Sequence, residues 1–193
     1  VCKMRIGNKD FQTRGKTYIM GILNVTPDSF SDGGKWNHMD AAMRHVEEML
    51  ADGMDVLDIG GESTRPGYTL ISNQQEIDRV VPMIEAVKAR FDVPISLDTY
   101  KSGVAKEGLS AGVDLINDIW GLKYDPNMAG VIAAAGVPSC LMHNRKTDTY
   151  NSFFSDMLQD LKETLNLADQ AGIQRDTIIL DPGVGNKKSY ENN

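Results

Sequence analysis

The stretch "MGILNVTPDSFSDGG", Met20–Gly34, begins as an apolar strand and ends as a loop of small polar residues. The run Met20–Val25 is interrupted by Asn24 near its end, and Thr26, Pro27, Asp28, Ser29, Ser31, Asp32, Gly33 and Gly34 follow, with Phe30 set among them. A connector that only turned the chain would need neither an aromatic ring nor two aspartates. A helical pattern comes next in "HMDAAMRHVEEMLADG": Ala42, Val46, Met49 and Leu50 fall at helical spacing, and Gly53 is a stop. Strand, polar loop and helix form the unit that the rest of the chain repeats.

Apolar strand patterns recur at "DVLDIG", "PISLD", "DLINDI", "VPSCLMH" and "TIILD". Between them lie the helical patterns "NQQEIDRVVPMIEAVKARF", expected to bend or restart at Pro82, "SGVAKEGLSAG", "DPNMAGVIAAAG" and "FFSDMLQDLKETLNLADQAG". A β-hairpin is expected ahead of them around "RIGNKDF". Strands alternating with helices imply a parallel sheet with right-handed crossovers, and Val/Ile/Leu-rich strands with little alternation imply that both faces are covered. An open doubly wound sheet and a (β/α)8 TIM barrel compete. A barrel takes about 250 residues, so this chain holds roughly six of its eight units. The first strand is not followed by Gly-x-Gly-x-x-Gly, which weighs against a dinucleotide-binding sheet.

With 193 residues, 41% hydrophobic and 24% charged, the sequence reads as one domain over 1–193 with a sizeable core. A net charge of −7 argues against nucleic-acid partners, although an anion can still be held locally. No apolar run has a membrane span's length, about 20 residues, and the polar opening "VCKMRIGNKDF" reads as no signal peptide. Cys2 and Cys140 lack metal spacing and are expected as free thiols in a cytoplasmic protein. Val1 in place of an initiator Met and the abrupt "NKKSYENN" raise the expectation that the chain is part of something longer.

Polar residues collect where the strands end: Asn24, Asp58 with Glu62, Asp98, Asn117 with Asp118, Met142 with His143, and Asp181. In parallel α/β folds these ends converge on one face, which holds the site. For Asp58, Glu62, Asp118 and His143, a helix cap or loop-stabilising hydrogen bond fits as well as a site role. Asn24, Asp98, Asn117 and Asp181 read as a functional set. Within it, Asp98, Asn117 and Asp181 offer acceptors, with one amide able to donate; they suit the edge of a planar heterocycle bearing N–H and NH2 groups, and a carboxylate there can stabilise positive charge developing on the ring. A second loop, "GGESTRPG", offers Ser63, Thr64 and Arg65 between glycines, which suits a phosphate.

The segments "GILNVTPDSFSDGG" and "DVLDIGGESTRPG" closely resemble the signature segments of the dihydropteroate synthases, folate-pathway enzymes inhibited by sulfonamides. "SLDTYKSGVA", "INDIWGL", "LMHNR" and "ILDPGVG" follow in the family's order. The resemblance implies a (β/α)8 barrel and a Mg²⁺-dependent transferase in which para-aminobenzoate displaces pyrophosphate from 6-hydroxymethyl-7,8-dihydropterin diphosphate. On that resemblance Asp98 and Asp181 are the catalytic carboxylates. Asp98, Asn117, Ile119, Met142, Asp181 and Lys188 bind pterin, and Asn24 meets the metal and diphosphate. Thr64 and Arg65 face the diphosphate, and Phe30 and Pro66 border the aminobenzoate pocket. The first two loops would close over the bound diphosphate, which makes Phe30 a wall for a benzene ring.

Two departures stand out. Asn186 occupies the position where the family carries an aromatic beside the pterin, and the chain ends before the family's seventh-strand Ser-Arg-Lys motif and eighth-strand Arg and His. The 193 residues alone are therefore expected to be inactive, and homodimerisation to belong to the full-length form. The alternatives are a pterin-binding corrinoid methyltransferase, which would not need the two anion loops, and a non-catalytic pterin-binding paralogue or fragment.

Overall fold

A computed structural model describes residues 3–25, 35–63, 70–186 and 188–193, with side chains in the first helix from His38 onward. The expected hairpin is present: β1 (Lys3–Ile6) pairs antiparallel with β2 (Lys9–Gln12). Six parallel strands follow, β3 (Met20–Asn24), β4 (Val56–Gly60), β5 (Ile95–Asp98), β6 (Leu115–Asp118), β7 (Ser139–Met142) and β8 (Ile178–Asp181). Between them run α1 (Lys35–Ala51), α2 (Asn73–Arg90), α3 (Ser102–Ser110), α4 (Met128–Ala135) and α5 (Phe153–Ala171). After β8 the described residues hold a short 3-10 turn, Tyr190–Asn192, so the last unit shows its strand without a helix.

Strand order decides between the two architectures. The sheet runs β3-β4-β5-β6-β7-β8 in sequence order with no reversal, whereas a doubly wound sheet must reverse at its switch point. The chain therefore forms a partial (β/α)8 barrel.

The pleat gives the two faces different jobs. Leu57, Ile59, Ile95, Leu97, Ile116 and Leu141 are fully buried in one cluster with helix residues such as Val46, Ile84, Val104 and Ile132. These are the helix-facing positions. On the opposite face, Val56 of β4 and Leu115 of β6 pack with Met4, Ile6 and Phe11, so the hairpin plugs the lower end of the barrel's inner side.

Helix ends follow local chemistry. Ser72 and Gln75 form a reciprocal capping box at the start of α2, and Gly136 and Gly172 close α4 and α5 in the left-handed region at φ 66° and 85°. Of the bend or restart expected at Pro82, the restart is absent: α2 is one continuous helix through it. Tertiary packing explains this, because Val80, Met83, Ile84 and Val87 are all buried and hold both halves against the sheet.

Candidate functional site

The register assembles the strand ends into one row. Asn24 pairs with Gly60, Gly60 with Asp98, Asp98 with Asn117, Asn117 with Cys140 and Cys140 with Ile179, while Met142 pairs with Asp181. Residues in one row share a pleat side, and so do residues two apart. Asn24, Asp98, Asn117, Cys140, Met142 and Asp181 therefore lie on the inner face, at the C-terminal end, opposite the hairpin.

Gly60 sets the spacing. A Cβ added there would stand 3.6 Å from Asn24 Oδ1 and 3.4 Å from Asp98 Oδ2, so the two side chains approach from either side of an unoccupied gap. Those are ordinary van der Waals distances, so a methyl fits the fold while filling the gap. Gly60→Ala is expected to keep its thermal midpoint and to lose about tenfold or more in kcat/KM. Circular dichroism melting and steady-state kinetics check both halves.

Asp98 is half-buried and receives no hydrogen bond from the described residues. Burial first, and then repulsion from the Asp58 carboxylate, holds its carboxyl well above the usual range. A carboxylate with no donor facing the inner side has its hydrogen-bonding capacity free for a ligand. Asn117 directs its amide nitrogen at Asp58, 3.4 and 3.3 Å from the two carboxylate oxygens. Asp181 accepts from the Gly183 backbone N–H through one oxygen, at 2.7 Å. Lys188 donates to the Gly183 carbonyl at 2.8 Å and reaches the carbonyls of Asn186 and His143 at 3.4 and 3.5 Å; burial pushes its ammonium below the usual value. Gly183 has φ 71°, and a Cβ there would stand 2.6 Å from the His143 carbonyl oxygen, so this turn requires glycine.

Ile119 is half-buried just beyond β6, and Met142 is buried at the end of β7, its sulfur meeting the Asn186 amide at 3.6 Å. Asn186 thus lies beside this wall as a half-buried polar group. Phe30, Thr64, Arg65 and Pro66 lie outside the described residues.

Four residues left open by the sequence now separate. Asp118 follows Asn117 and points the other way, where it accepts from the backbone N–H groups of Trp120 and Leu122, both at 2.8 Å. It organises that loop. His143 binds Asp160 of α5 at 2.8 Å, and Arg145 holds the same carboxylate at 2.6 Å. Glu62 accepts from Tyr100, from Lys101 at 2.5 Å and from the Ile71 backbone N–H at 3.2 Å, and Lys101 also pairs with Glu76 at 2.8 Å. That buried cluster joins residues on either side of 63–70 to the end of β5. Only Asp58 faces the inner side, one step below the row. It accepts from Ser96 Oγ at 2.6 Å, and burial raises its carboxyl to about 6.

Burial also raises Asp118 to about 6 from an ordinary 3.8. For an acid raised in the folded state, the associated stability is full below the unfolded value and is lost as pH climbs through the folded one. The window here is pH 4 to 6, and each group accounts for about 3 kcal/mol across it. Asp58→Asn removes one such group. Its stability relative to the parent should rise steadily between pH 4 and 6, whereas a constant difference in denaturant midpoint would contradict the assignment.

A sequentially ordered barrel sheet with its polar residues at the strand C-termini defines a (β/α)-barrel enzyme. Residues 20–193 match the family described as pterin binding enzyme. The chain is 56% identical over 190 residues to the dihydropteroate synthase of Clostridium beijerinckii, covering 98% of this chain and 71% of that one. It is 54% identical over 178 residues to that of Bacillus subtilis, covering 92% and 62%. Among solved structures, the Clostridium difficile dihydropteroate synthase determined in the presence of pteroic acid matches with TM-score 0.89 and 44% identity, over 98% of this chain and 70% of that one. The Xanthomonas albilineans enzyme with 4-aminobenzoic acid matches with TM-score 0.91 and 37% identity, over 100% and 70%. The chain belongs to the dihydropteroate synthases, pterin-binding transferases of folate biosynthesis.

Proposed function

We propose that Asp98, Asn117 and Asp181 grip the nitrogen edge of 6-hydroxymethyl-7,8-dihydropterin diphosphate, with Ile119 and Met142 as walls and Lys188 beside Asp181. The observation that carries this reading is Asp98: a half-buried carboxylate on the inner face, without a donor among the described residues, with the Asn117 amide in register beside it and Asp181 on the same face of β8, two residues beyond the row. The methylene carbon loses its bond to the diphosphate oxygen and gains one to the amine nitrogen of para-aminobenzoate, which releases a proton. Positive charge that develops on the ring as the leaving group departs is stabilised by Asp98 and Asp181, the proposed catalytic pair.

Mg²⁺ fits the remaining chemistry. No group of three or more His, Cys, Asp or Glu among the described residues could hold a metal, but Mg²⁺ commonly takes few protein ligands and completes its shell from substrate phosphates and water. Asn24, exposed at the tip of β3 with a carboxamide oxygen toward the Gly60 gap that takes no hydrogen bond from the described residues, would hold it, and the ion would neutralise charge on the departing pyrophosphate. Thr64, Arg65, Phe30 and Pro66 complete the reading as diphosphate and aminobenzoate contacts.

The domain is read as one barrel over 1–193 completed by further strands and helices. Among the described residues β3 and β8 remain sheet edges, and Ile22 on β3 and Phe154 on α5 are 61% and 66% exposed. A homodimer would form in that full-length state. No described helix is long and apolar enough to cross a membrane; a cytoplasmic location and no nucleic-acid partner complete the proposal. The full-length chain should release pyrophosphate only when both substrates are present. Release from the pterin diphosphate alone, or none with both, would refute the reaction.

A further inference from the structure

We propose that Asp58 is a positioning residue that fixes which end of the Asn117 carboxamide faces the pterin. It rests on the reading of Asn117 as a pterin-edge contact. Asp58 lies below the row, paired with Ser96, which pairs in turn with Leu115, two residues before Asn117. It is 6% exposed. Ser96 Oγ donates to Asp58 Oδ1 at 2.6 Å, which holds the carboxylate in place from the β5 side. The Asn117 amide nitrogen then lies 3.4 and 3.3 Å from the two oxygens.

An ionised carboxylate only accepts hydrogen bonds, whereas a carboxamide has one accepting and one donating end that are nearly identical in shape. A carboxamide without such a neighbour can present either end. Beside Asp58, the orientation with oxygen inward would set acceptor against acceptor in a buried position, so nitrogen faces inward. Asn117 Oδ1 receives no hydrogen bond from the described residues and is left as the outward acceptor. The carboxyl, raised to about 6, is still mainly ionised at neutral pH, so the constraint holds under working conditions. A ligand edge must therefore offer a ring N–H to that oxygen. Asp58 thereby selects for the donor–acceptor order of the heterocycle without touching it.

A double-mutant cycle tests this in the full-length chain, with 6-hydroxymethyl-7,8-dihydropterin as the calorimetric probe. Asp58→Asn keeps the shape and removes a buried charge, so the fold is expected to survive; Asp58→Ser carries the same cycle should it not. Asn117→Ala and Asp58→Asn should each raise Kd by about tenfold. The double variant should be no weaker than Asn117→Ala, within about twofold. Multiplying effects would make Asp58 act independently of Asn117 and overturn the proposal. So would an unchanged Kd in Asp58→Asn while Asn117→Ala weakens binding, a result that leaves the pterin-edge reading intact. An unchanged Kd in Asn117→Ala would remove both.

Discussion

Asp98→Asn in the full-length enzyme should lower kcat/KM by about 10²–10³-fold. The substitution preserves volume and, by removing a half-buried carboxyl held above its usual range, should not destabilise the fold. What it loses is the charge. Asp98 lies between Gly60 and Asn117 in the row, and none of the described residues donates to it, so none of them compensates for its loss. An amide there turns one acceptor into a donor against a ligand N–H and removes the charge that favours a cationic ring. Both kcat and pterin affinity should fall, because the contact is made in the ground state and strengthens as diphosphate leaves. Steady-state kinetics beside calorimetry with the free pterin separates the two losses. A variant with normal kcat/KM would place the heterocycle elsewhere.

Lys101→Met should be the most damaging single change to stability, at about 3–5 kcal/mol. Lys101 is 7% exposed, Glu62 7% and Glu76 2%, so one ammonium neutralises two buried carboxylates. Burial alone would push the Lys101 ammonium down, but its bonds to Glu62 and Glu76 outweigh this and hold it above its usual value. Without it, both acids must protonate or draw in water. In a domain of this size the loss corresponds to about 10 °C or more in thermal midpoint. Adding Glu62→Gln and Glu76→Gln to Lys101→Met should restore much of it, because the uncompensated charge and not the missing methylenes causes the damage. No recovery in the triple variant would contradict that cause.

The cluster also marks a limit of sequence reading. Glu62 and Lys101 are 39 positions apart, and nothing local pairs them. The repeating unit was legible because each element carries its own periodicity, and the strand tips were legible because Asn24, Asp98, Asn117 and Asp181 each interrupt an apolar run. The choice between barrel and open sheet was not, since strand order is set by tertiary packing. The continuity of α2 through Pro82 was hidden for the same reason. Asn117 and Asp118 were separable in principle: neighbours on a strand point to opposite faces, so only one can reach the inner side. Asp58 had a weaker signal. It is an acid inside "VLDIG", a strand buried along its whole length, and Ser96 is its polar partner across the register.

The arrangement at the strand tips is tested most directly by a crystal structure of the full-length enzyme soaked with 6-hydroxymethyl-7,8-dihydropterin. Ring density on the inner face, with nitrogen atoms within hydrogen-bonding distance, about 3 Å, of Asp98, Asn117 and Asp181, is the predicted result. A ring bound at the hairpin end of the barrel, or one that leaves Asp98 without a partner, would contradict it.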